Sequence, residues 1–200
     1  MPEAEIFVQE SDNPERKTKW DLIGVRKGNR LINMDSQIPN KVVEEWLRAG
    51  NLFLEPVTVR PETTYGNSRF DFYVESGETK AFIEVKGVTL EEDGVVRFPD
   101  APSERAVKHV EELIRAKKEG YDAYVFLVIQ MKGVRYFTPN MDTQPEFGEV
   151  LKKAKAAGVK ILAYDCQVTE DSIKIDEEVP VVLENPILWE TVASACSLVS

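Results

Sequence analysis

Apolar residues recur along this chain at two periods, and the period assigns most of the elements. At the start the pattern is short and alternating. Glu5 to Val8 and Asp21 to Arg26 read as strands on either side of a basic loop around Asn13-Pro14. Helical spacing follows: Val42, Val43, Trp46 and Leu47 recur, Asn40 stands where an N-cap belongs, and Gly50 stops the run. Leu52 to Val59 is expected to be extended and Pro61 to Asn67 a polar turn. Ser68 to Val74 and Lys80 to Val88 read as a hairpin joined by Ser76-Gly77-Glu78-Thr79. A second helix is expected after Phe98-Pro99-Asp100, with Val107, Val110, Leu113 and Ile114 on its apolar face and Gly120 at its end. Ala123 to Ile129 is almost wholly apolar, as in a strand covered on both faces. Pro145 to Ala157 reads as a third helix, Val159 to Tyr164 as a buried strand and Ser172 to Ile175 as an edge. Strands alternating with helices predict an α/β fold, a mixed β-sheet flanked by helices.

The hairpin brings acids together. Side chains alternate faces along a strand, so Phe70, Phe72 and Val74 share one face and Asp71 and Tyr73 the other. On the second strand Ala81, Ile83 and Val85 share one face, and Phe82, Glu84 and Lys86 the other. If Glu75 pairs with Lys80, the same register sets Phe72 against Ile83, Phe70 against Val85, and Asp71 against Glu84. Opposed β-carbons lie about 4.5–5.5 Å apart, and like charges there destabilise a sheet unless something offsets them. A divalent cation does so, and carboxylate oxygens suit Mg²⁺ or Mn²⁺. Lys86 is placed to orient a water or to stabilise charge on a phosphoryl group. The Glu-x-Lys pattern also occurs at Glu15 and Glu78, but only Glu84 lies within an apolar strand run and faces another acid. The alternative is an exposed hairpin face with a charge cluster centred on Lys86.

The 200 residues allow one generous domain, or a medium domain plus a small one. A net charge of −10 argues against a protein that coats nucleic acid nonspecifically. The charge is uneven: Ser11 to Arg30 holds Arg16, Lys17, Lys19, Arg26, Lys27 and Arg30 against Asp12, Glu15 and Asp21. That segment either contacts phosphates or is a solvated loop. Cys166 and Cys196 lack metal-ligand spacing and read as reduced thiols. Met1 to Glu10 has no leader character, and no stretch approaches the ~20 apolar residues of a membrane span, so a cytoplasmic location without a membrane partner is expected.

Three segments carry a family resemblance: Ser11-Asp12-Asn13-Pro14 through Arg16-Lys17; Ser68-Arg69-Phe70-Asp71-Phe72 leading to Ile83-Glu84-Val85-Lys86-Gly87-Val88-Thr89-Leu90; and Phe98-Pro99-Asp100-Ala101-Pro102-Ser103-Glu104-Arg105 before Lys108-His109. In content and order, over about Pro2 to Leu183, they resemble the SfsA family. The resemblance implies a restriction-endonuclease-like, PD-(D/E)xK core over 37–183, behind a truncated OB-like β subdomain at 1–36, with 184–200 as a C-terminal extension. It implies an association with DNA, and Asp71, Glu84 and Lys86 as the metal centre, joined by Glu45 from the preceding helix. The Val85 carbonyl is a further candidate ligand. On the second helix Arg105, Lys108, His109 and Glu112 share a polar face by spacing, and the first three are candidates to hold a phosphate. Arg16, Lys17, Arg69 and Gln130 complete the expected nucleic-acid contacts.

The chain departs from the family pattern in places. A Cys-Pro-Asn-Thr-Gly segment that the family carries further upstream is missing, Ala106-Val107 replaces Gly-Gln, and Gln144 stands where an acid is common. The reading that follows is a Mg²⁺- or Mn²⁺-dependent phosphodiesterase acting on DNA, with single strands favoured by an OB-like fold. Its competitors are a non-catalytic DNA-binding regulator of sugar (maltose) metabolism and a scaffold or small-nucleotide binder.

Overall fold

The computed structural model describes residues 4–11, 15, 17–53 and 57–184. Three strands open it, β1 (Glu5–Glu10), β2 (Trp20–Lys27) and β3 (Arg30–Asn33), followed by helix α1 (Ile38–Arg48). Then come β4 (Thr58–Tyr65), β5 (Ser68–Ser76), β6 (Thr79–Val88), β7 (Leu90–Glu92) and β8 (Val95–Phe98). Helix α2 (Glu104–Lys118), β9 (Asp122–Ile129), β10 (Tyr136–Pro139), α3 (Pro145–Ala156), β11 (Lys160–Val168) and β12 (Ile173–Glu178) complete it.

The central sheet has the order β12-β11-β9-β6-β5-β4. Its middle pairs, β6–β9 and β9–β11, are parallel and the outer ones antiparallel, so the sheet is mixed as expected. On one face Val42, Val43 and Leu47 of α1 pack on Phe72, Ile83 and Phe126. On the other, Val110 and Leu113 of α2 and Leu151 of α3 pack on Phe82, Val125 and Leu127. Strands covered on both sides must be apolar throughout, and every residue of β9 after Asp122 is buried. Cys166 lies in the α1-side layer, where burial pushes its thiol up to about 12; Cys196 lies outside the described residues.

The small sheet β1-β2-β3 is an antiparallel meander that docks on the end of β9. Asn33 donates its N–H to the Gln130 carbonyl at 2.9 Å, and Arg30 reaches the carbonyls of Lys132 and Gly133 at 3.1 and 2.8 Å. In a third sheet, β10-β8-β7, the middle strand pairs parallel with β10 and antiparallel with β7. Among the described residues no helix is long and apolar enough to cross a membrane.

Several expectations need correction. The segment read as a turn from Pro61 is strand β4, which pairs with β5 as far as Tyr65. It is the sheet's edge, where a proline costs no ladder bond. The turn shrinks to Gly66-Asn67, with Gly66 at φ +54°. Helix α1 begins at Ile38 with Gln37 as N-cap and Pro39 in the first turn, so Asn40 lies inside the helix. The hairpin register holds from Ser76↔Thr79 through Glu75↔Lys80 to Phe72↔Ile83, and stops there. The β4–β5 ladder skips Glu62 and Asp71, and Glu62 takes φ +54°. This local twist divides the aromatic row: Phe72 packs in the α1 layer and Phe70 in the α2 layer.

Candidate metal centre

Where β5 parts from β6, a side chain takes over from the backbone. Val85 N–H donates to Asp71 Oδ2 at 2.7 Å. Asn40 Nδ2 on α1 donates to Asp71 Oδ1 at 2.8 Å. The Asp71 carboxylate is thus fixed between a strand and a helix. Burial raises its pKa, and the charge of Glu84 raises it further, against the lowering from Val85, Asn40 and Lys86.

Glu84 is 2% exposed. Its Oε1 accepts from Lys86 Nζ at 2.6 Å and forms a short hydrogen bond with His109 Nδ1. Burial pushes this carboxyl up, but His109 and Lys86 outweigh it and hold it below the usual range. Its other oxygen, Oε2, is buried and has no hydrogen-bond partner among the described residues. A buried carboxylate oxygen without a donor is costly, and the structure keeps one beside a second carboxylate. Two acids, one with an open lone pair, fit an oxygen-seeking divalent cation. Lys86 is bonded to Glu84 and Asp71 lies close enough to feel the Glu84 charge, though not in the direct cross-strand pair expected, since the register ends at Phe72↔Ile83; His109 joins them as the partner of Glu84.

Arg69, Arg105, Lys108 and His109 line one groove of about 530 Å³ between α2 and the β4–β5 turn. His109, however, is buried at 6% exposure, and its Nε2 accepts from Arg105 Nε at 3.5 Å. Glu112, expected on the same polar face, is also buried and pairs with Arg115 at 3.2 Å.

Three candidates stand elsewhere. Glu45 is exposed and lines a groove with Lys41 and Phe7. The α1 residue that reaches Asp71 is Asn40, and five residues of helix turn a side chain about 140° away. Neighbouring Glu44 is tied to Arg48 at 2.6 Å. Gln130 is buried, and its Nε2 donates to Asn33 Oδ1 at 2.8 Å and to the Asp35 carbonyl at 3.1 Å. Its side chain clamps the N-terminal sheet to the core. Lys17 is exposed, and Arg16 lies outside the described residues. Arg26, Lys27 and Arg30 are engaged by Glu5 and Glu170, by Glu91, and by Glu91 respectively.

Asn40, whose sequence position suggests a helix cap, instead lies inside α1 and holds Asp71. Elsewhere an acidic trio, Asp165, Asp176 and Glu177, surrounds Lys132 Nζ at 3.0, 2.6 and 2.7 Å. The protein's own ammonium occupies that cluster.

Against known proteins, residues 37–172 match the family model described as the sugar fermentation stimulation protein RE domain. Residues 1–34 match the SfsA N-terminal OB domain. A sugar fermentation stimulation protein homolog of Clostridium beijerinckii is 61% identical over 183 residues, 92% of this chain and 81% of the relative. One from Desulfitobacterium hafniense is 60% identical over 183 residues, 92% of this chain and 80% of the relative. The structure of Pyrococcus furiosus SfsA in complex with Ca²⁺ aligns with a TM-score of 0.80 at 27% identity, covering 88% of this chain and 77% of that one.

Proposed function

The chain belongs to the SfsA family, and from that premise we propose that it is a DNA-binding protein whose Asp71–Glu84–Lys86 site is a metal-dependent phosphodiesterase of the PD-(D/E)xK kind. One observation carries the reading. Glu84, close enough for its charge to raise the Asp71 pKa, keeps one buried oxygen without a partner among the described residues, while its other oxygen is held by two donors. A purely structural ion pair has no use for that open position.

Asp71 and Glu84 would hold Mg²⁺ or Mn²⁺, with the Val85 carbonyl as a further ligand. When bound, such an ion polarises a phosphoryl oxygen and lowers the pKa of a water at neutral pH. The remaining work falls to the chain. Asn40 and Val85 N–H orient Asp71, and His109 orients Glu84. Lys86 brings a positive charge to the reacting phosphoryl group. That the Pyrococcus relative was obtained with Ca²⁺, another divalent ion that prefers oxygen ligands, supports this choice of metal class. The OB-domain match supports DNA as the partner and single strands as a substrate.

The test is digestion of single- and double-stranded DNA and RNA with Mg²⁺ or Mn²⁺. Cleavage is expected with metal, none with EDTA, and a loss of at least about 10²-fold for Lys86→Ala. Binding of DNA without cleavage under every metal condition would replace this reading with that of a regulator.

A further inference from the structure

The groove beside the metal centre has a charge of its own. Among the described residues Arg69, Arg105 and Lys108 line it against a single acid, Glu104, in a chain of net charge −10. All three cations are exposed, Arg69 with its Nε on Glu62 at 2.7 Å. Below them Ser68 is 6% exposed, and its hydroxyl has no hydrogen-bond partner among the described residues. Ser68 stands two residues before Phe70, so both share the strand face turned to α2, where Phe70 meets the edge of His109. A buried hydroxyl without an acceptor costs stability, and that cost is offset when a ligand brings the acceptor. An acceptor suited to a hydroxyl ringed by cations is a phosphate oxygen. The groove is also wired to the metal centre, through Arg105 Nε to His109 and through His109 to Glu84.

We propose that this groove is a metal-independent phosphate subsite, built on Ser68, Arg105 and Lys108, that takes the substrate phosphate next to the one under attack. Its place in the substrate rests on the phosphodiesterase reading above; its anion chemistry rests on the groove alone. The consequence is a substrate class. A chain of nucleotides fills both positions at once, whereas a mononucleotide or a dinucleotide with one phosphate fills only one.

The test has two arms. In the first, inorganic phosphate is titrated into the full chain in EDTA, with binding followed calorimetrically. Phosphate is expected to bind the wild type. Its affinity should fall about tenfold in Arg105→Ala, which removes a charge-assisted contact, and several-fold in Ser68→Ala. Ser68→Ala should also melt at an equal or higher temperature than the wild type, because the unpartnered hydroxyl is gone. A merely structural Ser68 moves both readouts the other way: a lower melting temperature and unchanged phosphate binding, which would overturn its role. In the second arm, Lys108→Ala, which leaves the Arg105–His109–Glu84 link in place, should raise KM for an oligonucleotide by a larger factor than for a dinucleotide with one phosphate. Equal effects on both substrates would overturn the assignment. Failure to bind phosphate in EDTA sinks the subsite and leaves the metal site standing. Phosphate binding without any cleavage keeps the groove as an anion site and sinks the phosphodiesterase reading on which its place in the substrate depends.

Discussion

Glu84 Oε1 takes two donors, and so Oε2 is left for something else. The arrangement depends on His109, which is bonded on one side to Glu84 and on the other to Arg105. Replacing His109 by Ala should let burial push the Glu84 carboxyl upward and let the side chain turn. We expect metal affinity to fall by about 10- to 100-fold, the usual effect of losing a group that orients a ligand. Mn²⁺ titration calorimetry of His109→Ala checks this; His109→Gln, which restores a donor, should recover part of the loss. At this scale the strand alternation made Asp71, Glu84 and Lys86 legible, since a period of two needs only local sequence. Asn40 was not legible. Its partner lies across the fold, and its helix starts earlier than a cap at Asn40 requires. Glu45 was placed at the site by resemblance, and the phase of α1 sets it on another side.

Hairpin β5–β6 works as an element because it is regular at one end and open at the other. Its closed end keeps the register that the alternation predicts. Its open end lets a carboxylate replace a backbone acceptor at Val85. Past the site, Gly87 lies where three elements converge. A Cβ there would meet Pro39 Cγ of α1 at 2.8 Å and would overlap Gln130 Oε1 at the end of β9. Gly87→Ala should therefore cost roughly 1–3 kcal/mol by overpacking. It should appear as a lower urea midpoint with an unchanged slope. Long elements were readable from their period. Strands β3, β7, β8 and β10, of three or four residues each, were not, because so short a run shows no period. The split of Phe70 from Phe72 was hidden too, since it follows from a backbone twist at Glu62 that alternation does not register.

Across the whole molecule, the N-terminal sheet is held by a buried ion cluster. Glu91 accepts from Lys27 at 2.8 Å and from Gly94 N–H at 2.6 Å, and pairs with Arg30 at 2.6 Å. Burial raises its pKa, but Lys27, Gly94 and Arg30 outweigh it and hold it at about 2, below its ordinary 4.5. An acid depressed on folding stabilises above its unfolded pKa and loses that contribution as pH falls. Docking of β2–β3 should therefore weaken between about pH 4.5 and pH 2, and Glu91→Gln should be weakened at neutral pH and lack this pH dependence. Hydrogen exchange at β3 amides is the readout. The same cluster occupies cations that the sequence offered to DNA. Within the N-terminal segment, salt-dependent DNA binding should then rest on Arg16 and Lys17, and reversing both to Glu should weaken it and reduce its salt dependence. The central claim concerns the metal, and thermal melting of wild type and Asp71→Asn, each in EDTA and in Mn²⁺, tests it most directly. The substituted amide can keep the Val85 bond while the Asn40 amide flips to accept from it, and one buried charge beside Glu84 is gone. In EDTA the variant should melt at an equal or higher temperature than wild type. Mn²⁺ should raise the wild-type melting temperature by mass action and the variant's much less. A variant that is destabilised in EDTA, with Mn²⁺ moving neither protein, would contradict the account.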